Sequence, residues 1–147
     1  MPYLGTRPKK TPAVQIARSA VHAAKLVYVA RANKKLNYRL QKSSIAYIGT
    51  TKKGADRIAA SAAKQARDLL GTHGIKHLAI FVVTCRAQQN VESWKLLERA
   101  LIIRFRELYG SVPVGNTQFK QAPRGNEFDY FSDSSLDKVL ELYESAI

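Results

Sequence analysis

Leu26-Val27-Tyr28-Val29-Ala30 and Ser44-Ile45-Ala46-Tyr47-Ile48 are the two runs on which the fold turns. Both are rich in the β-branched, aromatic and aliphatic residues that suit a half-buried pleated surface. The stretch between them, residues 31–42, is polar and basic, with Asn33 placed to turn the chain. The spacing predicts a long β-hairpin whose tip carries Arg31, Lys34, Lys35, Arg39 and Lys42.

Working outward toward the N-terminus, Val14, Ile16, Ala17, Ala20, Val21 and Ala24 recur at helical spacing, so a short amphipathic helix precedes the first strand. Residues 1–12, punctuated by Pro2, Gly5, Pro8 and Pro12, read as an exposed arm that offers Lys9 and Lys10 to phosphates. In the other direction Gly49 ends the second strand, and Thr50, Thr51 and Gly54 lead into a helix over residues 55–70. Gly71-Thr72-His73-Gly74 stops that helix, because glycine tolerates the left-handed conformation of a helix C-terminus.

Residues 77–85 form the most hydrophobic segment and are expected to be the central strand, with Cys85 buried in it. A helix over residues 90–108 presents Trp94, Leu97, Leu101 and Phe105 near one face, with Trp94 read as core. Gly110, Pro113 and Gly115 break the chain before Asn116. The acidic tail past Glu127 holds a last helix, from Ser134 or Ser135 to Tyr143, that acts as a packing lid. The fold class is α+β: a small central sheet of about three strands, mixed or antiparallel, flanked by helices. Three regions follow: a basic arm and helix (1–24), a core (25–120) and an acidic helical extension packed on the core (121–147).

Charge narrows the function. Lys and Arg number 24 against 11 Asp and Glu, a net +13. Residues 1–76 hold 16 of those bases and 2 of those acids, so the excess belongs to the first half. Such a field draws polyanions and would cost stability through self-repulsion without some return, which points to a nucleic acid partner. With one cysteine there is neither a disulfide framework nor a thiolate zinc site, and His22 and His73 stand too far apart to argue for zinc. Lys52-Lys53-Gly54 lacks the glycine and hydroxyl framework of a phosphate loop. No apolar stretch has signal-peptide or membrane-spanning length, so a soluble intracellular protein is expected, in cytoplasm or nucleoid if prokaryotic, with no membrane partner.

Four polar residues can meet on a small sheet: Tyr28, Tyr47, Arg57 in the first turn of the following helix, and Glu98 on the helix after strand three. Cutting a phosphodiester requires deprotonation of the attacking water, a cation against the charge building on the phosphoryl oxygens, and stabilisation of the leaving oxygen. Arg57 can fork two N–H donors onto a phosphate, Glu98 can hold Mg²⁺ or Mn²⁺, and nearby cations would favour the phenolate of Tyr28 or Tyr47. The ordinary alternatives are packing tyrosines, a solvated Arg57, and Glu98 paired with Lys95 or Arg99.

Tyr47-Ile48-Gly49-Thr50, with Asp56-Arg57 placing an arginine ten positions after Tyr47, resembles the second motif and catalytic helix of the GIY-YIG nuclease family. Leu26-Val27-Tyr28 stands where that family has its first motif. Leu97-Glu98-Arg99-Ala100-Leu101-Ile102 and Pro113-Val114-Gly115-Asn116 resemble its metal-binding glutamate and the asparagine beyond it. The resemblance, covering residues 25–118, implies a metal-dependent endonuclease that hydrolyses DNA using one divalent cation. It assigns Tyr28 as base or water-orienting phenol, Tyr47 as support for the nucleophile, Arg57 to the scissile phosphate, Glu98 to the metal and Asn116 to local architecture. Leu26 replaces the usual first glycine, Tyr28 and Tyr47 are 19 positions apart, and Ser61 stands where an assisting residue is usual, a part Lys64 or Tyr38 would then take.

The expected partner is double-stranded or branched DNA, with RNA as the other polymer. Arg31, Lys34, Lys35, Arg39, Lys42, Lys9, Lys10, Lys52 and Lys53 would lie along the backbone, and a homodimer would let two nicks become one double-strand break. The competing reading is an inactive basic DNA- or RNA-binding protein.

Overall fold

The β-branched residues of the first strand are paired on both sides. In the computed structural model, which describes residues 3–12, 25–51, 60, 63–65 and 67–145, β1 (Leu26–Asn37) runs antiparallel to β2 (Lys42–Thr51) and to β3 (Leu78–Val83). The sheet order is β2-β1-β3. Leu26, Val27, Val29 and Ala30 are fully enclosed, and neighbouring strands pair with both edges of β1. Among the described residues the fold is therefore a three-stranded antiparallel sheet with helices against it.

Hydrophobicity alone misplaced the centre of this sheet. β3, the most apolar run, lies at an edge and is only partly buried along most of its length. Burial of a strand's side chains reports what packs on its faces, whereas its place in the sheet is set by backbone pairing. The central strand is thus β1, not the 77–85 segment expected there. Cys85 falls beyond the end of β3 and is half-buried.

The hairpin also differs from its expected outline. β1 continues through residues 31–37, because Asn33 donates its N–H to His77 O (3.2 Å) and Leu36 is buried. The turn is confined to residues 38–41, so Arg39 is the one basic residue in it, while Arg31, Lys34, Lys35 and Lys42 lie on strands. That turn is docked: Leu40 N donates to Tyr109 O (3.0 Å) and Gln41 Nε2 to Leu108 O (2.9 Å). Carbonyls left over at a helix C-terminus need such partners. Gly49 does not end β2 but lies inside it, since Thr50 and Thr51 still pair with Val27 and Leu26.

Helix α1 (Ser93–Tyr109) packs on β2 and β1 and buries Trp94, Leu97, Leu101 and Phe105 as its periodicity predicts. Gly110 closes it with φ +89°, a left-handed conformation that glycine adopts without a Cβ clash. A short α2 (Glu127–Tyr130) and α3 (Asp133–Tyr143) follow. Ser132 caps α3 by accepting from Ser135 N at 3.2 Å. Leu136, Leu140 and Tyr143 are buried, Tyr143 stacking on Phe81 with centroids 4.8 Å apart. Ser44 N donates to Glu144 O (2.7 Å), fastening the end of the chain to β2.

Residues 60, 63–65 and 67–69 are helical, within the helix expected over 55–70. The helix expected at 13–24, and the positions of Arg57, Lys52, Lys53, Ser61 and His22, lie outside the described residues. Among the described residues no helix is long and apolar enough to cross a membrane.

Candidate active site

Antiparallel pairing sets Tyr28 opposite Gly49 and Ala30 opposite Tyr47, so the two tyrosines are diagonal neighbours on one face of the sheet. Their ring centroids are 5.9 Å apart with the ring planes tilted by 37°. Glycine at position 49 makes this contact feasible. A Cβ there would stand 2.6 Å from Cζ and Oη of Tyr28 and 2.6 Å from Cε1 of Tyr47. Gly115 serves the far side of the same ring, where a Cβ would meet Ala46 O at 2.9 Å and Tyr47 Cδ2 at 3.1 Å. Neither role was read from the sequence, although a glycine inside a strand is itself a signal of close approach.

Asn116 is buried and spends its whole side-chain amide on one residue of β2. Its Oδ1 accepts from Ile48 N at 2.9 Å and its Nδ2 donates to Ile48 O at 2.8 Å. Gly115 N adds a bond to Ala46 O at 2.8 Å. β2 is an edge strand, whose outward N–H and C=O groups would otherwise be unpaired. The 113–116 turn closes that edge and fixes Tyr47 between Ala46 and Ile48.

Glu98 comes to this cluster from α1. Burial pushes its carboxyl up to about 7, with Lys95 pulling the other way, and its charge is felt by Tyr47. Lys95 is itself engaged by Glu92 at 2.7 Å. The Tyr47 phenol is driven well above the usual tyrosine range, first by burial, then by the Tyr28 phenol and Glu98. This opposes the expectation that neighbouring cations would favour its phenolate: among the described residues what surrounds Tyr47 is a second phenol and a carboxyl. Tyr47 is consequently a hydrogen-bond donor at neutral pH.

Tyr28 and Tyr47 are thus neighbours on one face of the sheet, Asn116 holds the β2 edge at Ile48, and Glu98 is near enough for its charge to act on Tyr47. Tyr38, a candidate for the part left vacant by Ser61, is committed elsewhere: its hydroxyl donates to Ile45 O (2.6 Å) and accepts from Val114 N (3.1 Å). Lys64 is exposed. Trp94 is core as expected, with Lys25 Nζ 4.6 Å from its ring centroid and its indole N–H buried without a partner among the described residues.

The remaining cations separate into two groups. Lys9, Lys10, Lys34, Lys35, Arg39 and Lys42 are exposed. Arg31 is half-buried, its guanidinium 4.6 Å from the Phe81 ring centroid, which removes part of its reach toward a ligand. The arginines of α1 and beyond are internal ties. Arg99 pairs with buried Glu127 (3.2 Å), Arg104 with Asp137 (2.7 Å), and Arg124 with Glu107 (2.6 Å) and Asp133 (3.0 Å). No protein-family model, no curated protein and no solved structure matches this chain.

Proposed function

We propose that this chain is a metal-dependent endonuclease that hydrolyses DNA phosphodiester bonds at the Tyr28–Tyr47–Glu98 cluster. The observation that carries this reading is the juxtaposition itself: two phenol rings with centroids 5.9 Å apart lie where Gly49 and Gly115 leave room for them, and the charge of the desolvated Glu98 carboxyl acts on Tyr47.

A hard divalent cation fits the donor set. Among the described residues no group of three or more His, Cys, Asp or Glu stands together. Mg²⁺ is commonly held by one or two carboxylates and completes its octahedron with water and substrate phosphate, so Glu98 can be the protein's ligand for Mg²⁺ or Mn²⁺. Bound there, such a cation would offset charge on the phosphoryl oxygens and acidify the attacking water. The chain's own groups do the rest. Tyr28 orients the attacking water and Tyr47, held protonated, supports it; as the water oxygen bonds to phosphorus its proton passes to solvent, and the leaving oxygen takes a proton from solvent as its bond to phosphorus breaks. Arg57 forks onto the scissile phosphate. Asn116 keeps β2, and with it Tyr47, from shifting.

Supercoiled plasmid incubated with the protein and Mg²⁺ or Mn²⁺ is expected to be nicked, and Arg57→Ala and Glu98→Ala are expected to abolish nicking. Equal cutting by all three proteins would place the chemistry elsewhere. The first-half lysines that make no ion pair among the described residues support a second reading, binding without turnover. Salt-sensitive binding with no cleavage under either metal would select it.

A further inference from the structure

We propose a second phosphate-binding platform, separate from the phenol and carboxyl cluster, built by Lys34 and Lys76 with His73 and His77 and organised by Asn33, which takes the backbone of the same nucleic acid strand or duplex. It rests on the reading of the substrate as nucleic acid, and deepens it by naming where the rest of the polymer lies.

Two segments distant in sequence are locked together here. Asn33 Oδ1 accepts from Lys76 N (3.0 Å) and from His77 N (3.3 Å), and Asn33 N donates to His77 O (3.2 Å). The Lys34 ammonium lies against the same loop: a Cβ on Gly74 would stand 2.8 Å from its Nζ. The loop is held in place rather than free. Ile75 is fully buried, Ile75 N donates to Thr72 O (2.7 Å), and Gly71 N donates to Ile75 O (2.9 Å). Asn33, Lys34, His73, Lys76 and His77 are all exposed on this fixed frame.

Charge complementarity decides the ligand. Between Lys25 and Val91 the sequence contains only Asp56 and Asp68 as acids, and Asp68 stands by Arg67 (4.0 Å). The platform's lysines make no ion pair among the described residues, unlike Arg99, Arg104 and Arg124. Fixed like charges repel, and a polyanion relieves the repulsion while releasing its own counterions. Lys34 is six residues along β1 from Tyr28, roughly 20 Å at the usual rise per strand residue. That is about six base pairs of duplex rise, so one backbone reaches from the phenols to the platform.

The test is binding of a labelled duplex of about 20 base pairs, followed by fluorescence anisotropy in EDTA across a salt series. Lys34→Gln/Lys76→Gln is compared with Lys120→Gln/Lys138→Gln, which removes the same charge from exposed positions elsewhere. The first pair is expected to lower the slope of log affinity against log salt by about 2, and the second to leave it nearly unchanged. Equal slopes for the two pairs would overturn the platform, since net charge alone would then explain binding. Nicking assays on the same proteins separate the two proposals. Metal-dependent nicking with equal slopes removes the platform and leaves the nuclease; a platform effect in a protein that never nicks does the reverse.

Discussion

A carboxyl buried as Glu98 is favours its proton, and this sets function against stability at one residue. An unfolded glutamate titrates near 4.5, whereas Glu98 in the folded protein titrates at about 7. Between those values the folded state holds a proton that the unfolded state has lost, so stability falls as pH rises through this window and stays low above it. Allowing for the water that still reaches the carboxyl, the loss is about 2 kcal/mol. Glu98→Gln removes the ionisation. In EDTA its melting temperature is expected to stay level from pH 5 to about 8 while that of the parent falls. Parallel curves would mean that Glu98 is solvated. The same variant loses the hard oxygen ligand and is expected not to nick.

Tyr47→Phe is the complementary change, deleting one hydroxyl and leaving the ring that rests between Gly49 and Gly115. It is expected to melt within about 1 kcal/mol of the parent, the usual net worth of one hydrogen bond, while nicking falls by at least about tenfold. Undiminished nicking would reduce Tyr47 to a packing residue.

Strand β2 shows how an element is fitted to its site. Gly49→Ala places a methyl 2.6 Å from both phenol rings, so the rings must separate. Overpacking of this kind costs about 1–3 kcal/mol. Nicking is expected to suffer more than the melting temperature does, because the displaced atoms are the ones proposed to meet substrate. Gly5→Ala, with nothing within 4 Å, serves as control. Asn116→Ala uncouples the 113–116 turn and leaves Ile48 N and O unpaired at the sheet edge, at a cost of about 2–3 kcal/mol. Denaturant unfolding measures that cost, and a loss below about 0.5 kcal/mol would show that water replaces the amide.

At this scale the sequence was legible where burial and pairing agree and misleading where they part. Leu26 to Ala30 is apolar and central, and its reading as a strand holds. Residues 31–37 are polar yet continue the strand, because the Asn33 backbone N–H finds His77 O whatever the side chains are. Residues 78–83 are apolar yet lie at the edge. The diagonal meeting of Tyr28 and Tyr47 followed from the hairpin. The clefts left by Gly49 and Gly115 did not, since they depend on where a third segment comes to rest.

At the scale of the whole molecule, the charge count of +13 hides a division of labour. Four arginines of the second half, Arg99, Arg104, Arg106 and Arg124, are consumed in holding α1, the 117–126 segment and α3 together: Arg106 donates to Phe119 O and Ala122 O, and Arg104 joins Asp137. The described lysines of the first half are left to the solvent. Composition alone could not separate the two, because an ion pair is a matter of geometry. The acidic last helix is accordingly a structural cover. Leu140 is fully buried in the common core with Leu136 and Tyr143. Leu140→Ala is expected to destabilise the protein by about 2–5 kcal/mol, the cost of removing three heavy atoms from a packed site and leaving a cavity. For a chain of this size that lowers the melting temperature by roughly 5–15 °C. Below the transition the variant should bind duplex with the salt slope of the parent, since no phosphate contact is touched. A fall in that slope, measured where circular dichroism shows the protein folded, would mean that α3 orders the basic face as well as covering the core.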